Sequence, residues 1–263
     1  MINDKKPAAK GSGKADMAIS AIFGKLKANI DFSFVDMKNM CLMVTSSLPN
    51  EGKTTIGANT AAAMAASGKK TLFIDADMRN ATVHLLFNLV NATGLSDIIS
   101  QNTPWKDCLV KSSIPNLSII TAGRKPTNST KFVGSTRFRE FIEAVKREYD
   151  YIVIDTPPIL LLPDAQIISP VVDGVILVVN SGKTKQAELK ASGDLLKRAN
   201  ANLIGAVLNN VNTKSGSYGY GYGYGYGYGY GNYGNYSDDA PQTNARRIDE
   251  SVKVRPGNSS DRK

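Results

Sequence analysis

The side chains best placed to do chemistry lie in four short stretches of the 263-residue chain. The first is Val44 to Thr55, VTSSLPNEGKTT, where an apolar run ends and a turn-rich segment delivers Gly52-Lys53-Thr54 to the start of a helix. Its spacing is that of a phosphate-binding loop, although Ser47 stands where the G-x-x-x-x-G-K-[ST] pattern opens with glycine. Such a loop needs backbone N–H groups wrapped around phosphates, a lysine to neutralise the β/γ oxygens and a hydroxyl on Mg²⁺. Lys53 and Thr54 fill the last two roles, and Pro49, Asn50, Glu51, Gly52, Lys53, Thr54 and Thr55 are the expected ATP contacts. A plain polar turn is the bland alternative, and the strand-to-helix context argues against it.

The second stretch is Asp75-Ala76-Asp77 and the third is Asp155, each directly after an apolar run. A polyphosphate brings Mg²⁺, which is held by one or two carboxylates, often through water. Asp155, after YIVI, reads as the Walker B carboxylate, while Asp75 and Asp77 can divide metal support and proton acceptance between them. The bland reading is that acidic residues merely punctuate strand ends. The fourth stretch is the tail, YGYGYGYGYGYGYGNYGNY, which carries Tyr218, Tyr220, Tyr222, Tyr224, Tyr226, Tyr228, Tyr230, Tyr233 and Tyr236; only Tyr149 and Tyr151 lie elsewhere.

The elements that must position these groups follow from periodicity. Short apolar strands are expected at Met40–Thr45, Thr71–Ile74, Leu117–Thr121, Tyr151–Ile154, Val175–Val179 and Leu203–Leu208. Helices are expected at Lys53–Ala66, Thr136–Glu148 and Gln186–Ala199, and an amphipathic helix at residues 16–30, with Ile19, Ile22, Phe23, Leu26 and Ile30 at helical spacing. This alternation predicts an α/β fold of the P-loop NTPase type, a mostly parallel sheet covered by helices on both faces. Ligands of such sheets sit beyond the carboxyl ends of the strands, which places Ser46, Asp75, Asp77, Asp155 and Asn209 along one edge.

Composition narrows the rest. Residues 1–15 are polar, basic and poor in aliphatics, and 213–263 are equally poor, so both are expected to be disordered around a folded domain at 16–212. Cys41 and Cys108 are too few for a disulfide framework and have no metal-ligand spacing. No apolar run approaches the roughly 18 residues of a membrane span, and the N-terminus lacks an export segment, which points to the cytoplasm. The formal charge of +9 is scattered, without interleaved aromatics, so nucleic acid is not an expected partner.

Together, S-x-x-P-x-E-G-K-T at Ser46 to Thr54, D-x-D-x-R at Asp75 to Arg79 and D-x-P-P at Asp155 to Pro158 resemble the bacterial protein-tyrosine kinases of capsule and exopolysaccharide operons, over about residues 17 to 212 and then the tail. The resemblance implies an ATP- and Mg²⁺-dependent kinase that autophosphorylates its tyrosine cluster, usually between subunits, and so regulates polysaccharide synthesis and export. It implies that Lys53 binds phosphate, that Thr54, Asp77 and Asp155 support Mg²⁺, that Asp75 is the candidate base, and that Asn209 contacts adenine. Asp164-Ala165 matches a recurrent pair of the family. Implied partners are a membrane adaptor of the polysaccharide co-polymerase type, which would recruit the chain to the inner face of the plasma membrane, other copies of the chain, and a cognate tyrosine phosphatase. The segment from Asp16 to Ile30 can supply part of the adaptor's docking surface or pack within its own domain.

A partitioning ATPase of the ParA or MinD kind shares the fold, but it carries an early second lysine in its loop where this chain has Leu48. Two segments depart from the kinase pattern. The ring-forming E-x-x-R-x-x-R residues fall on Ala21, Gly24 and Lys27, and AGRKPTNSTKFV has Thr127, Ser129 and Lys131 where relatives often carry Pro, Pro and Glu. The tail's glycines cannot build a core, so composition alone also permits a sticky low-complexity segment. A flexible run of that length spans roughly 25 Å, enough to bring a tyrosine to its own or a neighbour's site.

Overall fold

The computed structural model describes residues 12–35 and 37–211. The expected phosphoacceptors Tyr218, Tyr220, Tyr222, Tyr224, Tyr226, Tyr228, Tyr230, Tyr233 and Tyr236 therefore all lie outside the described residues. So do the ends expected to be disordered, apart from residues 12–15, which join the first helix.

Three strands read as unbroken apolar runs: β1 (Met40–Ser46), β5 (Tyr151–Asp155) and β6 (Gly174–Asn180) are buried at every residue. Such runs need cover on both faces, which is the condition of a parallel sheet interior. The sheet has seven strands in the order β3-β4-β2-β5-β1-β6-β7, with β2 at Thr71–Asp75, β3 at Val110–Lys111, β4 at Leu117–Ile120 and β7 at Leu203–Asn209. All pairings are parallel except β3 with β4, so β1, β2, β5, β6 and β7 end on one edge.

The two-residue alternation of a strand splits the core into two layers. Leu42, Val44, Phe73, Val153, Ile176 and Val178 face α1 (Ser12–Ser33) and α2 (Lys53–Ala66). Met43, Leu72, Ile74, Ile152, Ile154 and Val175 face the opposite layer. There they meet α4 (Leu95–Gln101), α6 (Thr136–Lys146), α7 (Asp164–Ile168) and α8 (Gln186–Arg198). The remaining helices are α3 (Val83–Leu86) and α5 (Ser129–Val133). Among the described residues no helix is long and apolar enough to cross a membrane.

Several expectations are corrected. The first helix begins at Ser12 instead of Asp16 and runs past Ile30 to Ser33. It packs along α2 on the side of Phe23, Leu26 and Ile30, with Phe34 just beyond its end lying against Gly174 of β6, while Ile22, counted in its apolar face, is 63% exposed. A lone helix is marginal in water, and burial of Ile30 and Phe34 contributes about 3 to 6 kcal/mol toward holding it down. The short helices α3, α4, α5 and α7 and the two-residue β3 are too brief to leave a period in the sequence. Local chemistry explains α5, because the Asn128 side chain caps it by accepting from Lys131 N at 3.0 Å.

Candidate active site

The loop after β1 is shaped by two backbone departures and three long-range braces. Asn50 and Gly52 both take positive φ, 61° and 93°. At Gly52 a Cβ would overlap the amide of Asn209, so only glycine fits. Asn209, at the end of β7, donates from Nδ2 to the carbonyl of Glu51 at 3.0 Å. Glu51 is 3% exposed; its carboxylate accepts from Leu48 N at 3.0 Å and from the Thr184 hydroxyl after β6. Ser47, in the position where the pattern has glycine, is buried and receives a 2.8 Å hydrogen bond from Ser192 of α8. The loop is thus moulded by side chains of the C-terminal third, which supply what the missing glycine would have left to backbone freedom.

Lys53 opens α2 and turns back over the strand ends. Its Nζ lies 3.1 Å from Asp77 Oδ2 and 3.4 Å from Asp155 Oδ2. Thr54 donates to Asp155 Oδ2 at 2.6 Å, and Thr82 reaches the Thr54 hydroxyl at 3.2 Å. Asp75 and Asp155 are register partners on β2 and β5, and both are fully buried. Lys53, Thr54, Asp75, Asp77 and Asp155, placed together by the sequence, therefore lie at one point.

Electrostatics at that point are dominated by burial. Desolvation, then the charge of Asp155, pushes the Asp75 carboxyl up to about 8. Opposing this, its oxygens accept from the backbone of Asp77 at 3.1 Å, Thr82 at 3.2 Å and Val83 at 3.1 Å, contacts that favour the charged form. Burial also raises Asp155, offset in part by Lys53 and the Thr54 hydroxyl. For Lys53, burial favours the neutral amine, but Asp155 and then Asp77 outweigh it and hold the ammonium charged.

The donor set fits Mg²⁺ accompanied by phosphates. Among the described residues no group of three or more His, Cys, Asp or Glu side chains forms a metal cage. Magnesium needs only one or two carboxylates when phosphates complete its shell. Asp155 Oδ1 is buried without a hydrogen-bond partner, an acceptor that a metal-bound water would satisfy.

Sequence reasoning missed Thr82, Thr184, Ser192 and Asn180. Asn180 ends β6 as the register partner of Asn209, and its Oδ1 is also buried and unpartnered. The strand-end rule that found Asn209 points equally to it. Asp164 proves to be the hub of a network: Ser129 donates to it at 3.3 Å, Thr130 donates to its other oxygen, and Arg79 Nε lies 3.9 Å away. Ser129, one of the departures from the family pattern, is thereby put to structural use.

A parallel sheet with a phosphate loop after β1 and carboxylates after β2 and β5 defines a P-loop nucleotide-binding protein. Residues 50–200 match the model of the AAA domain family. The tyrosine-protein kinase CpsD of Streptococcus agalactiae is 35% identical over 215 residues, 81% of this chain and 88% of that protein. The kinase domain of the Escherichia coli tyrosine kinase ETK superposes with a TM-score of 0.72 at 29% identity, covering 88% of each chain. The septum site-determining protein MinD of Pyrococcus horikoshii, complexed with Mg-ADP, gives a lower TM-score of 0.56 at 25% identity, covering 64% of this chain and 69% of that one. The chain belongs to the family of bacterial tyrosine-protein kinases.

Proposed function

We propose that the chain transfers the γ-phosphoryl group of ATP to the tyrosines of its own 218–236 cluster and thereby regulates capsular or exopolysaccharide synthesis and export. The observation that carries this reading is the convergence of Lys53, Thr54, Asp77 and Asp155 at the strand ends, with Asp75 directly behind. Lys53, released from its carboxylates, neutralises the β/γ oxygens. Thr54, Asp77 and Asp155 would hold Mg²⁺, which when bound would offset the charge that develops on the phosphates.

In the transfer, a bond forms between the phenol oxygen and the γ-phosphorus while the bond to the β–γ bridging oxygen breaks. The electron pair leaves with ADP, and the phenol proton passes to the Asp75/Asp77 pair. Phenol has a pKa near 10, so the base has modest work to do. Tyr149 and Tyr151, the remaining tyrosines, are 4% and 9% exposed, which favours the tail cluster as the acceptor. Each phosphate adds about −1.5 to −2 charge, so several push tails apart and make phosphorylation an assembly switch. A membrane adaptor, transfer between copies and a cognate phosphatase complete the cycle, with the chain acting at the cytoplasmic face.

The test is to incubate the protein and its candidate adaptor with Mg-ATP and to map phosphotyrosine by mass spectrometry. Changing the nine cluster tyrosines to Phe should remove nearly all label and leave ATP binding intact. Label retained on Tyr149 or Tyr151 sinks the tail assignment. ATP hydrolysis without any phosphotyrosine would favour the MinD-like alternative.

A further inference from the structure

The two edges of the sheet are not alike. On one side it ends in β3, only two residues long, and a strand that short offers little to pair with. On the other it ends in β7, whose seven residues, LIGAVLN, contain no charge and no proline to deter another strand. Its one irregularity is the register shift opposite Val175 and Ile176, at its N-terminal end, which leaves Gly205 to Asn209 in regular register. Ser181 N donates to the Asn209 carbonyl, so Gly205, Val207 and Asn209 turn their backbone groups toward β6, and Ala206 and Leu208 turn theirs outward. Among the described residues no strand meets them.

One face of this strand is bare as well. By register, Leu203, Ala206 and Leu208 lie on the same face as Val175, Leu177 and Val179 of β6. The β6 residues are buried, whereas Leu203 is 41% and Leu208 57% exposed, so the helix layer closes over β6 and stops short of β7. The opposite face is better filled, because Ile204 and Val207 pack against the core beneath α1 and α2. The edge therefore fits an added strand that carries bulky side chains on the α8 face and needs none on the other.

We propose that a stretch of residues 218–231 of this chain folds back and adds to β7 as a further, antiparallel strand of the sheet. That run alternates tyrosine and glycine without a break, so in a strand every tyrosine falls on one face and every glycine on the other. Tyrosine rings then cover Leu203, Ala206 and Leu208, and these cross-strand contacts work against the entropic cost of ordering the glycines. The connection is in place: Asn210 takes positive φ, 56°, at the end of β7, and residues 210–217 are left to reverse the chain. Attachment to the same chain also keeps the tail at a high effective concentration beside the edge. Because the repeat is two residues, a slip by two restores the same pairing, and the run, longer than β7, always leaves tyrosines beyond it. The edge thus stores the tail on its own chain and releases tyrosines one repeat at a time.

Hydrogen exchange of the unphosphorylated full-length chain tests this against a full-length variant whose residues 218–231 are reordered to YYGGYYGGYYGGYG. The variant keeps the composition and puts tyrosines on both faces. In the natural order the amides of Ala206 and Leu208 should exchange at least about tenfold more slowly than in the variant, while those of β1 stay the same in both. Leu208→Asp, at an exposed position that folding tolerates, should also remove the protection. Rates within about twofold for the two tails would overturn the proposal. Equal protection in both, dependent on protein concentration and accompanied by a doubled mass, would assign the edge to a second copy and overturn it too. The inference does not rest on phosphoryl transfer, so absence of phosphotyrosine would leave it standing.

Discussion

Lys53 Nζ sits between Asp77 Oδ2 at 3.1 Å and Asp155 Oδ2 at 3.4 Å, so the lysine proposed to bind phosphate is held by the carboxylates proposed to support the metal. A third buried acid, Asp75, adjoins them, leaving one ammonium among three carboxyl groups. That acidic excess, added to burial, is why Asp75 and Asp155 both titrate above the ordinary carboxylate range. Under the proposed function, Mg-ATP would relieve the imbalance by bringing a divalent cation to the carboxylates and phosphates to the lysine.

Lys53→Met should therefore do two things. It should abolish phosphotyrosine on the activated protein, and it should destabilise the nucleotide-free protein by about 3 kcal/mol, the scale for removing one partner of a buried ion pair. Urea unfolding with and without Mg-ADP checks the second effect. A variant with full phosphotyrosine labelling would defeat the assignment of Lys53.

The raised carboxyl of Asp75 sets a pH dependence whose sign is opposite to that of an ordinary paired aspartate. In the folded chain Asp75 keeps its proton up to about 8, whereas the unfolded chain releases it near the usual 3.8. The unfolded state thus binds fewer protons across that window, and the nucleotide-free protein loses stability as pH rises from about 4 to about 8. Asp155, also raised, acts in the same direction. The rise in melting temperature given by Mg-ADP should be larger at pH 8 than at pH 6, and Asp75→Asn should flatten the slope of the free protein. An unchanged slope in that variant would refute the assignment.

The parts of this site legible in the sequence are those whose chemistry is local. Lys53, Thr54 and Asp155 announce themselves because a phosphate loop and a strand-end acid each need a fixed residue next to a recognisable apolar run. Their meeting point follows from parallel topology alone. What stayed hidden was contact across sequence: Thr184 reaches Glu51 over 133 positions and Ser192 reaches Ser47 over 145. No spacing rule links such pairs. The same holds for Thr82, whose value lies in facing Thr54 and not in its neighbours. In the fold, long amphipathic α6 was readable, whereas four-residue α3 was not, although its Leu85 and Leu86 line the pocket beside Thr54.

Thr184→Val keeps the shape of the side chain and deletes its hydroxyl, so it isolates the brace on the phosphate loop. The hydroxyl donates to Glu51 and accepts from Asn180 N at 2.9 Å. A hydrogen bond to a charged group contributes about 1.5 to 3 kcal/mol, and part of that loss should emerge as loosening of the loop. Mg-ADP should bind about tenfold more weakly, with recovery in Thr184→Ser. Equal affinity in the Val variant would show that Glu51 holds the loop through Leu48 N alone.

The last prediction concerns what keeps α1 on its domain. Tyr151 donates its hydroxyl to Asp31 at 2.7 Å, and Lys27 pairs with the same carboxylate. Burial, reinforced by that contact with Asp31, pushes the phenol well above its usual value, which keeps it protonated and donating throughout the physiological range. Tyr151→Phe removes this tie without touching the ring, over which Lys27 sits 5.7 Å from the centroid. Because Asp31 is partly exposed and retains Lys27, the cost should fall below the range for a charged partner, to about 1 kcal/mol, or roughly a fivefold rise in the opened population. Ile30→Ala, which empties a buried position, should cost more, about 2 to 5 kcal/mol. Chymotrypsin cleavage at Phe23 and Phe32 under native conditions reads both variants, and the expected order is wild type, Tyr151→Phe, Ile30→Ala. Accelerated cleavage in Ile30→Ala but not in Tyr151→Phe would mean that apolar contact alone holds the helix and that the Asp31 bond orients it without adding hold.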